Sequence, residues 1–579
     1  MSKLNIDQQT VKELFSNKKS DFLIPDYQRP YAWGDAECET LWDDIFAFAF
    51  PDDDYSKFDS DNDEYFLGPI VTFKNENKKL EIIDGQQRLT TLMLLLRAFY
   101  SFFGAMKDSN SKKTADDIAK CIWKTDEFGT PNMDALKIDS EVSSDIDKDE
   151  FLTLLKSGTV NNNMKSIYAQ NYRFFLDCIE GFKNSYPTYF PYFPNRIMNN
   201  CILLPIEAES QDTALTIFST LNDRGKPLSD TDIFKAQMYK CFKEAGKKDE
   251  FVKRWKALED VSNRIFKVTT GSPMDELFTR YMYYERAKQG IKNTTTEALR
   301  KFYEKDNYRL LKNNETLENL ESLADFWEKI DRLDDSLSDE VLRALEVLQY
   351  APNGMWTYLL SVYYMHNRKK DGSIDEKQLC EFLDKITAFI WAYALLRPGV
   401  NALRSPAYPE MIKIVTDKQV DFAEFKFNES DVRNSLNNYT FSNGRPITKS
   451  ILAWWLFQNP NQELVPMNTI LEIEHIYSKK REDNEKSLKN PNNIESLGNK
   501  ALLEKGINIR ASDYRFSDKK KYYEGFTTGK GKVKSPTINV ELREIANNKK
   551  DFTESEITTR EKIIVDSFID YLKKNDLIK

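Results

Sequence analysis

Histidine is nearly absent from this chain: 579 residues include two, His366 and His475. A protein so poor in imidazole has few ways to build a general base that works at neutral pH. Cysteine is sparse too. The six cysteines, at 38, 121, 178, 201, 241 and 380, make no C-x-x-C pair, so neither a zinc knuckle nor a disulfide framework is indicated and reduced core residues are expected. Long apolar runs are missing: Leu92 to Met106 is interrupted by Arg97 and falls short of the roughly 20 residues that span a bilayer, so it reads as a buried helix. The opening stretch MSKLNIDQQTVKELF has no apolar core followed by a cleavage site, so a cytosolic location and no membrane contact are expected. No G-x-x-x-x-G-K-[ST] loop occurs, which excludes an ordinary P-loop NTPase. Net positive charge is also lacking. At a formal charge of -9 the chain is unsuited to coating nucleic acid indiscriminately, and any contact with phosphates must be local.

What is present describes a folded, water-facing protein, with 40% hydrophobic, 13% aromatic and 30% charged residues. The length is too great for one core and points to about three to four domains of roughly 150 residues. From Phe22 to Phe73 short apolar stretches alternate with turn residues around a helical stretch, Cys38 to Phe48. A strand at Lys79 to Ile83, a turn at Asp84-Gly85 and a buried helix from Leu89 to Phe103 follow, an α+β start. Residues 115–162 read as helices with an inserted loop. Met164 to Phe182 is an amphipathic helix, Cys201 to Pro205 a strand, Thr213 to Leu221 a helix, and Ser229 or Asp230 caps the next one. From about Glu250 to Asp417 the pattern is helical, with aromatic stripes at Trp255, Phe278, Tyr281, Trp327, Trp356, Tyr363 and Trp391 that read as core. Charge is uneven: Asp52 to Glu64 holds seven acids against Lys57, whereas lysines 479, 480, 519, 520, 521, 530, 532 and 534 gather towards the C-terminus. Of these, Lys479, Lys480, Lys519 and Lys520 are the candidates for any nucleic-acid backbone contact, and a solvated loop would use the same residues.

The second histidine ends a β-like run, Thr469 to Ile473, behind a carboxylate, and is trailed by Gly498-Asn499 and Asn508. Phosphodiester hydrolysis needs a base to activate water, which an imidazole with pKa near about 6.5 supplies. It also needs a cation to stabilise charge on the departing oxygen. In an extended segment Glu474 and His475 point to opposite faces. One of the two amides is suited to orienting the imidazole and the other to offering an oxygen to a hard cation such as Mg2+. On residue chemistry alone a strand end and two turns explain the same residues.

At the front, IPDYQRPYAW (Ile24 to Trp33) and IIDGQQRLTTL (Ile82 to Leu92) each set glutamine and arginine at a bend beside a strand or helix start. Arg29 and Arg88 suit bidentate phosphate contact, and the helix start after Gly85 offers free N–H groups. Asp84 suits holding a metal-bound or attacking water. An Arg–Asp network pinning two loops together would use the same residues.

LEIEHIYSKK, NIESLGNKALLEKGIN and FSDKK, in that order, resemble the C-terminal HNH-type nuclease domain of the GmrSD family of type IV, modification-dependent restriction enzymes. The two front motifs, with FLGPIV (Phe66 to Val71) and FSTLNDRGKPLSDTDIFK (Phe218 to Lys235), resemble the ParB-like N-terminal domain of the same family. The resemblance implies an α+β multidomain chain: a ParB-like domain over 1–245, a helical spacer over 246–430, and a ββα-metal nuclease domain with helices over 431–579. It implies that Glu474 and Asn508 hold a divalent metal, Mg2+ or another, while His475 activates water and Asn499 orients it. It further implies that Asp84, Gly85, Gln86, Gln87, Arg88, Gln28, Arg29, Asn222 and Arg224 bind and hydrolyse a nucleoside triphosphate, GTP among the candidates. Double-stranded DNA carrying a base or backbone modification is the implied partner. The implied mark is a hydroxymethylated or glucosylated cytosine, or a phosphorothioate as in SspE-like defence proteins, and Ile24, Pro25, Tyr27 and Tyr31 are the candidates for its apolar contact. Homo-oligomers are compatible with this reading. Two positions depart from the family pattern: Ser478 stands where a proline is usual, and Glu474 where aspartate is more common. The alternative is an NTP-switched DNA-binding or signalling protein with an inactive nuclease domain.

Overall fold

The apolar stretches at the front pair into one mixed sheet. The computed structural model describes the chain apart from residues 1–4, 7, 143–146, 212, 215, 216, 218–228, 270, 335, 398–402, 467, 513, 514 and 530. It is an α+β, multidomain protein that divides into two units, Met1–Ala257 and Leu258–Lys579. No described helix is long and apolar enough to cross a membrane.

In the first unit the strands are β1 (Asn5–Ile6), β2 (Gln9–Thr10), β3 (Phe22–Ile24), β4 (Tyr65–Lys74), β5 (Leu80–Asp84), β6 (Trp123–Thr125), β7 (Pro131–Leu136), β8 (Ile138–Ser140) and β9 (Cys201–Ala208). The main sheet runs β1-β9-β4-β5-β3-β8, with β2 also on β9. β4 lies parallel to β9 and antiparallel to β5, and its register on β9 slips between Phe66 and Gly68. That bulge leaves Gly68 at φ +123°, a conformation that suits glycine. The helix Gln86–Phe103 starts one residue after β5 and is buried almost all round, as its continuous apolar sequence requires. Arg97, which interrupts that run, is buried too. It donates to Leu155 O at 3.0 Å and Ser101 Oγ at 2.9 Å, which satisfies a charge that burial would otherwise penalise.

Residues 115–162 differ from the helical expectation. Helices Ser109–Ile122 and Lys148–Ser157 flank three strands: β6 and β7 pair with each other, and β8 adds an edge to the main sheet beside β3. These strands are short and mostly polar, so they carry little alternation to read. The helix Asp230–Glu244 is capped by Ser229, whose side chain accepts from Asp232 N in a capping box. The expected helix at Thr213 to Leu221 lies largely outside the described residues.

The second unit is helical up to Leu456, through Pro273–Lys288, Asn314–Arg332, Asp339–Gln349, Met355–Asn367 and Glu376–Leu396 among others. Phe278, Tyr281 and Trp391 are fully enclosed. Near the C-terminus β10 (Leu471–His475) pairs antiparallel with β11 (Lys500–Glu504), and the helix Lys505–Ala511 follows at once. Ala501 and Leu503 on one face of this hairpin share a core with Ile507, Ala511, Phe516, Tyr523 and Ile557. The strand begins later than its apolar run and takes in Glu474 and His475, because pairing with Ala501 and Lys500 extends it.

Candidate active site

Alternation along β10 sends Leu471, Ile473 and His475 to one face and Glu472 and Glu474 to the other. His475 sits opposite Lys500 and Glu474 opposite Ala501, so the candidate base and the candidate metal ligand diverge as expected from their spacing.

Asn499 ends the turn Leu497–Asn499 and is fully buried. Its Oδ1 accepts from Tyr477 N at 2.7 Å, and its Nδ2 donates to Tyr477 O at 3.0 Å and Ile494 O at 3.1 Å. Its main-chain oxygen accepts from Ile476 N at 2.9 Å. The amide thus clamps the backbone just after His475 and acts on the imidazole through the chain. Sequence reasoning missed what holds this clamp. Arg560, on the helix Glu554–Lys574, donates from Nη1 to the carbonyls of Leu497, Gly498 and Lys500 at 2.9, 3.1 and 2.7 Å. Its Nε and Nη2 bind the carboxylate of Glu541 at 2.8 and 2.9 Å, the bidentate geometry that arginine favours. A Cβ at Gly498 would collide with the Ile557 carbonyl oxygen, so this turn closes on that helix only with glycine.

On the His475 face, Nε2 lies 3.5 Å from Glu495 Oε1 without forming a hydrogen bond. Glu495 is itself held by Lys479 and by the buried Lys500, whose Nζ donates to Glu495 Oε2 at 2.6 Å and Asn443 Oδ1 at 2.7 Å. Burial, helped by the Lys500 charge and opposed by Glu495, pushes the imidazole down to about 4. It is neutral at pH 7, with a lone pair to offer. Glu495 and Lys500 lie in the motif that carries Asn499, but nothing in their spacing marked them as neighbours of His475.

On the opposite face the buried Glu474 accepts at Oε1 from Lys519 Nζ at 2.8 Å and from Tyr523 Oη at 2.6 Å. Lys519 also donates to His475 O at 2.6 Å. Asn508, on the helix Lys505–Ala511, donates from Nδ2 to Glu472 Oε2 at 3.1 Å. Glu472 and Glu474 thus share one face of β10, Asn508 contacts Glu472, and His475 lies on the other face. Among the described residues no three His, Cys, Asp or Glu side chains cluster as a metal site. The set here mixes carboxylates with an amide. All its donors are oxygens, which fits a hard dication in kind, and the Lys519 ammonium already supplies positive charge against Glu474.

Lys519 was expected on the DNA backbone, but its side chain is 1% exposed, because the buried Glu474 carboxylate draws it into the core. Lys479 is exposed and paired with Glu495, Lys480 is exposed, and Lys520 is half-buried.

In the first unit the two glutamine–arginine motifs come together. Gln28 donates to Ile82 O at 3.3 Å and Ile83 O at 3.1 Å; Gln86 donates to Arg29 O at 3.1 Å; Gln87 donates to Pro30 O at 3.2 Å and accepts from Ala32 N at 2.7 Å. These amides sew the loop 28–33 to the strand-turn-helix corner at 84–88. Gly85, at φ +92°, makes that corner. Arg88 Nη1 donates to Pro69 O at 2.9 Å beneath the bulge in β4. A Cβ on Gly68 would lie 2.9 Å from the guanidinium carbon, so the bulge glycine makes room for Arg88. Burial raises Asp84, against the pull of the Gly85 N–H, Arg88 and Arg29. Asn222 and Arg224 lie outside the described residues. Ile24, Pro25, Tyr27 and Tyr31 are all buried. Tyr31 Oη is bound to Thr91 Oγ1 at 2.7 Å and Asn171 Nδ2 at 2.9 Å, and Tyr27 Oη to Glu81 Oε2 at 3.3 Å. In this arrangement they form part of the core and offer no surface to a DNA mark.

Comparison with known proteins agrees at both ends of the chain. The family described as GmrSD restriction endonuclease, N-terminal domain, matches residues 11–239. The family described as GmrSD restriction endonucleases, C-terminal domain, matches residues 426–567. No curated protein matches the chain. The first match spans the glutamine–arginine corner, and the second spans β10, the Asn499 clamp, Asn508 and Lys519. The chain belongs to the GmrSD family of type IV restriction enzymes, a DNA endonuclease of defence with both domains on one polypeptide.

Proposed function

We propose that this endonuclease acts on double-stranded DNA carrying a base or backbone modification. The first unit binds and hydrolyses a nucleoside triphosphate, with GTP the first to test, and the second nicks or cuts the DNA by a one-metal, HNH-type reaction at His475. The observation that carries the nuclease half is an imidazole whose Nε2 has no hydrogen-bond partner, held at a strand end by the Asn499 clamp. A base in that state takes a proton from water as the water oxygen bonds to phosphorus and the bond to the departing sugar oxygen breaks. Glu474 and Asn508, with Glu472 beside them, are the residues to hold Mg2+ or another divalent cation, which when bound offsets charge on the departing oxygen. Arg560 and Gly498 act as positioning residues through the Asn499 turn. In the first unit Arg88, Arg29 and the N–H groups that open the helix Gln86–Phe103 supply the phosphate contacts, and Asp84 holds the attacking water.

Plasmid nicking tests the reading, with Mg2+, across unmodified, hydroxymethylated, glucosylated and phosphorothioated DNA, with and without GTP. Wild type should nick at least one modified substrate and His475→Ala none. Equal background nicking by both on every substrate would sink the nuclease assignment and leave the NTP-switched alternative. Unchanged NTP turnover in Arg88→Ala would remove the nucleotide site.

A further inference from the structure

The helical part of the second unit contains a cavity of about 370 Å3, within the range of small-ligand sites. Its walls include Phe266, Arg280, Trp327, Glu346, Tyr350 and Trp356, and the exposed Pro466 and Asn468 also line it. Arg280 is 8% exposed. Its guanidinium carbon lies 4.0 Å from the Trp327 ring centroid and 4.5 Å from that of Phe266, and its Nε donates to Glu276 at 2.8 Å. Nη1, by contrast, is buried without a hydrogen-bond partner. A charged donor left unsatisfied in an aromatic cavity is expensive, and an occupant that brings an acceptor removes the cost.

The other groups narrow the occupant. Trp327 is fixed by its Nε1 bond to Ser361 Oγ at 3.0 Å and by Trp356, whose ring centroid is 5.7 Å away, so the walls are rigid and suited to a flat ring. Glu346 is 4% exposed, and burial pushes its carboxyl up to about 7. Near neutral pH it therefore presents a proton to donate as well as oxygens to accept. A phosphate would meet the carboxyls of Glu346 and Asp331 against a single guanidinium, which disfavours a plain anion. Aromatic walls with an arginine donor and a two-way carboxyl suit a heterocycle that stacks and reads hydrogen bonds at its edge.

We propose that this cavity is a nucleobase-binding site, filled by a base turned out of the DNA. The cavity wall favours DNA as the source over a free nucleoside. Glu346 accepts from Val465 N at 3.0 and 3.2 Å, and the lining residues Val465, Pro466, Asn468 and Thr469 come just before β10 in the sequence, the strand that carries His475. An occupant thus touches the backbone that leads to the nuclease strand. The inference rests on DNA being the substrate but needs no turnover, so its failure is distinct from failure of the nuclease reading.

The test uses the full chain and two readouts. Tryptophan fluorescence is titrated with cytidine, 5-hydroxymethylcytidine, guanosine and inorganic phosphate. A duplex carrying 2-aminopurine is titrated with protein in EDTA. Saturable quenching by a nucleoside but not by phosphate is expected, weakened about tenfold or more in Arg280→Met. The 2-aminopurine should brighten on binding wild type and stay dim with the variant. Arg280→Lys keeps a cation for Glu276 while removing the Nη1 donor, and should behave like Arg280→Met with near wild-type melting. Absence of saturable quenching by every nucleoside, or saturation by phosphate instead, would overturn the site. Quenching by nucleosides with no difference in brightening between wild type and variants would overturn DNA as the source.

Discussion

Replacing Lys519 with methionine probes the buried pair beneath the nuclease hairpin and the metal assignment together. The two side chains are 1% and 4% exposed and meet at 2.8 Å, so the ammonium is the charge partner of a carboxylate sealed from water. Methionine keeps the volume and removes the charge. Breaking a buried pair by deleting one partner costs about 3–5 kcal/mol, and for a domain of this size each kcal/mol moves the melting temperature by about 2–4 °C. A fall on the order of 10 °C is expected in EDTA. If Glu474 is a metal ligand, a bound dication takes over from the missing ammonium, so Mg2+ should stabilise Lys519→Met more than wild type. A ligand at 100 times its Kd adds about 2.7 kcal/mol, enough to return most of the loss. Differential scanning fluorimetry of both proteins across a Mg2+ series decides it. A variant that melts with wild type would refute the buried-pair argument, and equal Mg2+ gains in both proteins would refute Glu474 as the ligand.

Asn499→Ala deletes three buried hydrogen bonds around Tyr477 and Ile494, costing about 2–5 kcal/mol; nicking should fall at least tenfold while DNA binding, followed by anisotropy, persists. Gly68→Ala places a methyl against Arg88 at φ +123°, and about 1–3 kcal/mol of strain should lower the first melting transition and NTP turnover together, whereas an unchanged melt would show that the bulge tolerates a side chain. Glu346 has its carboxyl raised to about 7 in the fold from an ordinary 4.5. Its stabilising contribution is therefore complete below about pH 4.5 and is lost as pH rises through 7, up to about 3 kcal/mol. The urea midpoint difference between Glu346→Gln and wild type should grow in favour of the variant from pH 5 to pH 8, and a pH-independent difference would contradict it.

Much of this protein could be read from local order. Continuous apolar sequence predicted the buried helix from Leu89 to Phe103, and alternation predicted that Glu474 and His475 face opposite ways, because side-chain period is a property of the backbone itself. Ser229 could be named as a cap because capping is settled within a few residues. Proximity across the fold left no such mark. Lys519 looked like one of several surface lysines until packing placed it under Glu474, and Arg560 and Gly498 gave no sign that they close the Asn499 turn. The aromatic residues from Phe278 to Trp391 read uniformly as core. Phe278, Tyr281 and Trp391 are core, and Trp327 and Trp356, buried as expected, also wall a cavity with an arginine that has no acceptor for one of its nitrogens. Sequence alone determined the motifs, the family resemblance and the direction in which each strand residue points. Tertiary structure decided which charges are buried together and where space remains, because those depend on how distant helices pack and on no periodicity a single segment carries.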